Sequence, residues 1–217
     1  MGTAPGVAAV VTALLLGVTG CGSDAGASVS DVSTPTATKS LGPAAKAPRS
    51  ALAGLIVLPR GYIADSQDGS GPFTAATFLD SWSAVPAVDR ALLLNAGFVE
   101  GYRATRLSPD KKKRFTLQLF KAATPAKANV LQEGFWSQDT HERGFTVPNA
   151  LTDARVEYDG GTGQSEAVAE ASFVVGALVA ELSVRQTGAL GSNPQPDIAL
   201  ITALVKQQRA RLTSNSS

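Results

Sequence analysis

The stretch EASFVVGALVAELSVRQT, residues 170–187, decides the fold class. In its second half Leu178, Ala180, Leu182 and Val184 alternate with Val179, Glu181, Ser183 and Arg185. A period of two sends successive side chains to opposite faces, so one row is apolar and the other mixed. This is the pattern of a half-buried strand in an antiparallel sheet. Gly176-Ala177 reads either as a hairpin turn or as a glycine bulge within one long strand.

Working outward, Ala154 to Tyr158 reads as a short strand ended by Asp159-Gly160-Gly161. Phe98 to Leu107 and Phe115 to Leu119 form a hairpin whose loop holds Asp110-Lys111-Lys112-Lys113-Arg114. Phe115, Leu117 and Leu119 share one face; Thr116, Gln118 and Phe120 share the other. Three segments read as helices. Pro86 to Gly97 has Leu92 and Leu93 inside and Gly97 as its stop signal. Thr124-Pro125 supplies an N-cap and a first-turn proline, and Ala128, Leu131 and Phe135 follow on one face. The last helix, from about Pro196 to Leu212, turns Ile198, Ile201, Val205 and Leu212 inward.

Short hairpin links and segregated helices imply an α+β fold, an antiparallel sheet with helices packed mainly on one face. A faint repeat, hairpin then helix, ends once near Trp136 and once near Leu212. On this arrangement the second sheet face is open, and Phe120, Val179, Glu181 and Arg185 form a candidate binding face. Its mixed character suits a polar ligand or a partner protein better than a lipid tail.

Composition narrows the chemistry. The 217 residues carry 19 Lys+Arg against 18 Asp+Glu. A net charge of +1 removes the whole-protein electrostatic case for nucleic-acid binding. A single Cys and a single His exclude multi-thiolate and two-His metal sites. No cofactor and no metal site are expected.

The N-terminus gives an address. Residues 1–20 carry no charged side chain, and the apolar run from Val7 to Val18 is too short to span a bilayer comfortably. Its length fits the hydrophobic region of a secretory signal. Val18-Thr19-Gly20-Cys21 resembles the lipobox of bacterial lipoproteins of the actinobacterial type. The resemblance implies a signal peptide over 1–20, lipidation of Cys21, cleavage before it, and anchoring on the outer face of the cell membrane. From Gly22 to Ser50, 21 of 29 residues are Gly, Ala, Ser, Thr or Pro, the composition of a disordered linker. Ser33-Thr34-Pro35-Thr36 within it has the make-up of an O-glycan acceptor or of a plain spacer. All aromatic residues lie beyond residue 50, so residues 51–217 are expected to form a single extracytoplasmic domain.

Catalytic motifs are scarce. Gly160-Gly161-Thr162-Gly163 lacks the Lys of a phosphate loop and reads as an inter-strand turn. Ser108-Pro109-Asp110-Lys111 has the spacing of a Ser-x-x-Lys nucleophile but sits in a hairpin loop instead of a helix start. Asp139-Thr140-His141-Glu142 gathers three potential ligands yet reads as solvated loop. The basic run Lys111 to Arg114 reads as a solvated hairpin tip or as a contact for anionic headgroups. Three functions follow: a non-enzymatic binding or sensing domain for an envelope ligand or partner protein, a structural partner of a membrane complex, or a carboxylate-dependent envelope hydrolase.

Overall fold

The computed structural model describes residues 50–188 and 191–215. The expected signal peptide, Cys21 and linker residues 22–49 lie outside the described residues.

The chain begins with a 3-10 helix, Ala51–Leu55, capped by the Ser50 hydroxyl, which accepts from Leu52 N and donates to Glu100. Two short strands follow, β1 (Ile63–Ala64) and β2 (Gly71–Phe73), then helices α1 (Ala75–Ser81) and α2 (Pro86–Ala96). The hairpin β3 (Glu100–Leu107) and β4 (Lys113–Lys121) leads to α3 (Pro125–Trp136). Strands β5 (Leu151–Asp159), β6 (Gln164–Val175) and β7 (Leu178–Gly188) precede α4 (Ile198–Ser214). The strands form one antiparallel sheet, ordered β1-β3-β4-β7-β6-β5, with β2 also paired to β3. The class is α+β, as the alternation at 178–184 predicts. Gly176, at φ +57°, and Ala177 make a two-residue hairpin, because Val175 pairs directly with Leu178.

Local chemistry explains the helix ends. Thr124 accepts from Lys127 N at the start of α3. Gly97 ends α2 in the left-handed conformation at φ +58°, and a Cβ there would lie 2.9 Å from Ala123 Cβ. Asp197 caps α4 through Leu200 N and also holds Lys113 at 2.6 Å.

Two cores lie on opposite sides of the sheet. On the first face Phe115, Leu117, Leu119, Phe173, Leu182 and Val184 pack under Ile201, Leu204, Val205 and Leu212 of α4. Gln208, fully buried on that side of α4, accepts from Val57 N and donates to Leu55 O, tying the 3-10 helix to α4. On the second face Phe120 and Val179 join Phe73, Phe78, Leu93, Leu131 and Phe135 of β2 and α1–α3.

The expectation of an open second face therefore needs correcting. Three of the four α-helices among the described residues do share a face, but it is the one expected to be free, and α4 covers the other. The reason lies in the rows across β4, β7 and β6. The first row, Phe120–Val179–Val174, is apolar and must be covered, whereas the next, Gln118–Glu181–Ser172, and the one after, Thr116–Ser183–Glu170, are polar. The hairpin-then-helix repeat is not a repeated packing unit either, since α3 and α4 lie on opposite faces.

A polar-floored cleft as the candidate site

The second face changes from apolar to polar along the strands, and the helical layer stops where the change occurs. A cleft of about 540 Å³ opens there, within the roughly 300–1,000 Å³ of ordinary small-molecule sites. Its floor is the two polar rows together with Arg114 and Arg185; Arg103 of β3 extends it. Its walls are Phe78 and Trp82 at the end of α1, Asp89 of α2, Phe135 and Trp136 of α3, and Gln138 and Asp139 beyond it.

A rigid aromatic cluster sets the inner wall. Phe120 meets Phe73, Phe78 and Phe135 with ring centroids 5.0–5.3 Å apart. Gly101 makes room for it, because Phe73 pairs with Gly101 and a Cβ there would lie 2.1 Å from the Phe73 ring. The Arg103 guanidinium stands 4.9 Å over the Trp82 ring.

The charges in the cleft divide sharply. Each lining arginine has a carboxylate partner outside the lining: Arg103 with Asp68 at 2.8 Å, Arg114 with Asp65 at 3.1 Å, and Arg185 with Glu166 at 2.7 Å. Burial alone would raise the Asp68 carboxyl, but Arg103 and Thr105 hold it below its ordinary value. Glu170 is paired with Arg155, a buried residue that also reaches Asp153 at 3.0 Å and Glu157 at 2.6 Å. Burial works against that guanidinium, yet the three carboxylates keep it protonated. Asp153, likewise penalised by burial, is held low by the backbone N–H groups of Arg143 and Glu142 and by Arg155.

Glu181 is the exception. It is half-buried in the middle of the floor, and among the described residues no side chain or backbone donor meets its carboxyl. Burial, reinforced by the carboxylates of Asp139, Glu170 and Asp89, pushes it up to about 8. Asp89 accepts from Ser83 and from Gln138 but has no cationic partner among the described residues. Directly across from Glu181 on β6, Ser172 is only 1% exposed, and among the described residues its hydroxyl finds no hydrogen-bond partner. An unsatisfied buried hydroxyl costs about 1–3 kcal/mol unless something bonds to it.

The residues singled out from sequence fall in three groups. Glu181 and Arg185 line the cleft, whereas Phe120 and Val179 are fully buried beneath α1–α3 and offer no binding surface. They belong to the apolar row that the helices cover. The basic run is not a set of four unpaired charges, since Lys113 pairs with Asp197 and Arg114 with Asp65. The Ser108 hydroxyl donates to Asp110 and accepts from Lys113 N, so it fastens the hairpin turn. Of the Asp139–Glu142 loop, Asp139 borders the cleft and His141 stacks on Trp136 at 4.1 Å. His141, Asp153 and Glu170 come together with one ligand atom each within 4.8 Å, but Arg155 already supplies the cation between the two carboxylates. Sequence reading did not find Arg155, Asp89 or Ser172. Only the cross-strand register brings Ser172 beside Glu181, and no local motif marks it.

Among the described residues no helix is long and apolar enough to cross a membrane. No family model matches the chain, and no curated protein matches it. Among solved structures the chain is similar to the extracellular domain of PknH from Mycobacterium tuberculosis, with a TM-score of 0.39 and 10% identity, over 71% of this chain and 80% of that one.

Proposed function

We propose that the chain is a lipoprotein anchored through Cys21 to the outer face of the cell membrane, and that its folded domain binds or senses a small polar envelope ligand without transforming it. The cleft carries this reading. Its floor carries an unpaired carboxyl beside a buried, unsatisfied hydroxyl, whereas every other charged side chain of the floor has a partner of opposite sign. A surface built only to dock a large partner would favour a flat apolar patch over a recessed polar floor.

One observation favours the envelope hydrolase as a second reading. A glutamate that keeps its proton to about pH 8 is suited to general-acid work. Its neighbour on the same face, Glu170, is held by Arg155 and is not poised as a base or nucleophile, which ranks this reading second.

The test is full-length protein purified gently from native envelopes, then heated to release what it carries. Mass spectrometry of the released fraction should find a small molecule that a Glu181→Gln, Ser172→Val double variant does not carry. A protein partner retained equally by both forms, with no small molecule, would overturn the binding reading. Turnover of envelope glycan or peptide lost in Glu181→Gln would establish the second one.

A further inference from the structure

We propose that the cleft seats a primary ammonium group, with its nitrogen on Glu181 and its N–H donors shared with Gln118 and Ser172. The inference rests on the ligand-binding reading above and adds the chemical class.

Three observations converge on it. First, the acceptors form one row: Gln118 pairs with Glu181 across β4 and β7, and Glu181 pairs with Ser172 across β7 and β6. A primary ammonium carries three donors and no acceptor, so one such group satisfies a carboxylate, an amide oxygen and a hydroxyl together. Second, the uncompensated charge here is negative. The lining arginines are paired with Asp68, Asp65 and Glu166, with only the buried Nε–H of Arg103 left unused, whereas among the described residues Glu181 and Asp89 have no cationic partner. An anionic ligand would have to displace one of those pairs or take the Arg103 Nε–H, and in either case it would face the carboxyl groups of Glu181 and Asp89. Third, among the described residues the buried Ser172 hydroxyl has no hydrogen-bond partner, which leaves an acceptor beside Glu181 for a ligand donor. A neutral polyol could bond the hydroxyl and the amide, but it would leave the carboxyl without a counter-charge.

The groups facing Glu181 are Gln118 from β4, Ser172 and Glu170 from β6, Asp89 from α2 and Asp139 after α3, with Arg103, Arg114 and Arg185 as the flanking cations on the floor. Seating a cation converts Glu181 to the carboxylate and releases its proton, so affinity should rise as pH is raised from 6 to 8.

The experiment titrates ¹⁵N-labelled full-length protein with n-butylammonium, with neutral N-butylacetamide and with butyrate, following backbone amides. Butylammonium should shift the amides of Gln118, Ser172 and Glu181 saturably, and more tightly at pH 8 than at pH 6. Glu181→Gln should weaken it at least tenfold while leaving the remaining spectrum unchanged. Ser172→Ala, a smaller disturbance, should weaken it a few-fold and guards against a folding artefact in the first variant. Equal saturation by N-butylacetamide, or tighter binding of butyrate, would overturn the ammonium assignment and leave the ligand cleft standing. No movement at these amides with any probe would also overturn it; the envelope-release experiment then decides the binding reading separately.

Discussion

Replacing Arg155 with Met tests how the floor divides its charges. The guanidinium is 9% exposed and serves Asp153, Glu157 and Glu170, of which Asp153 is fully buried and Glu170 is 13% exposed. Methionine fills similar length without charge, so the loss is electrostatic rather than a cavity. Removing one partner from a buried ion pair costs about 3–5 kcal/mol. Asp153 keeps two backbone N–H donors and Glu157 reaches solvent, which places the expected cost near the lower end, about 3 kcal/mol. At roughly 2–4 °C per kcal/mol for a domain of this size, melting should fall by about 6–12 °C. Urea denaturation at pH 7 reads this directly. A cycle with Glu170→Gln should recover at least 1 kcal/mol, because the second change removes a carboxylate that the first left unpaired. A loss below about 1 kcal/mol with strictly additive single changes would refute the role of Arg155 as the cation of this network.

Glu181 makes stability fall with pH. Its folded-state carboxyl titrates near 8 against an ordinary 4.5, so the folded state holds the proton more tightly. Stability is therefore flat below about pH 4.5, declines as pH rises through 8 and then levels, by roughly 2–4 kcal/mol after allowing for solvent in the cleft. Urea midpoints at pH 5 and pH 9 should show the decline in the wild type and its removal in Glu181→Gln. Gly101→Ala should cost about 3 kcal/mol, the upper end for overpacking, because the Phe73 ring is fixed by its aromatic neighbours; a change below 0.5 kcal/mol in denaturant titration would contradict the packing argument. Cys21→Ser should abolish fatty-acid labelling and release the protein from the membrane fraction, and continued labelling would refute the anchor.

Much of the fold is visible in local pattern. The alternation at 178–184, the Thr124-Pro125 start of α3 and Gly97 at the end of α2 each act through the backbone of their own segment, so they read correctly without tertiary information. What covers each face does not. Phe120 and Val179 continue the same alternating row as Gln118 and Glu181, and only the register across three strands shows the apolar pair ending where the polar rows begin. The site was half legible for the same reason. Glu181 stands out as a charge in mid-strand, but its lack of a partner depends on where Arg103, Arg114, Arg155 and Arg185 find theirs, and those partners lie up to 49 residues away in sequence. Gln208 shows the converse case: a polar residue on the core side of α4 whose partners, Val57 N and Leu55 O, come from the other end of the domain.

The central claim is that Glu181 is an unpaired carboxyl at the floor of a ligand cleft, and its side-chain carbon can be observed. A site-resolved ¹³C titration of the Glu181 carboxyl in the full-length protein should give a midpoint near pH 8. Adding the small-molecule fraction released from native-envelope protein should then move that midpoint. A midpoint near the ordinary 4.5, unmoved by that fraction, would contradict the account.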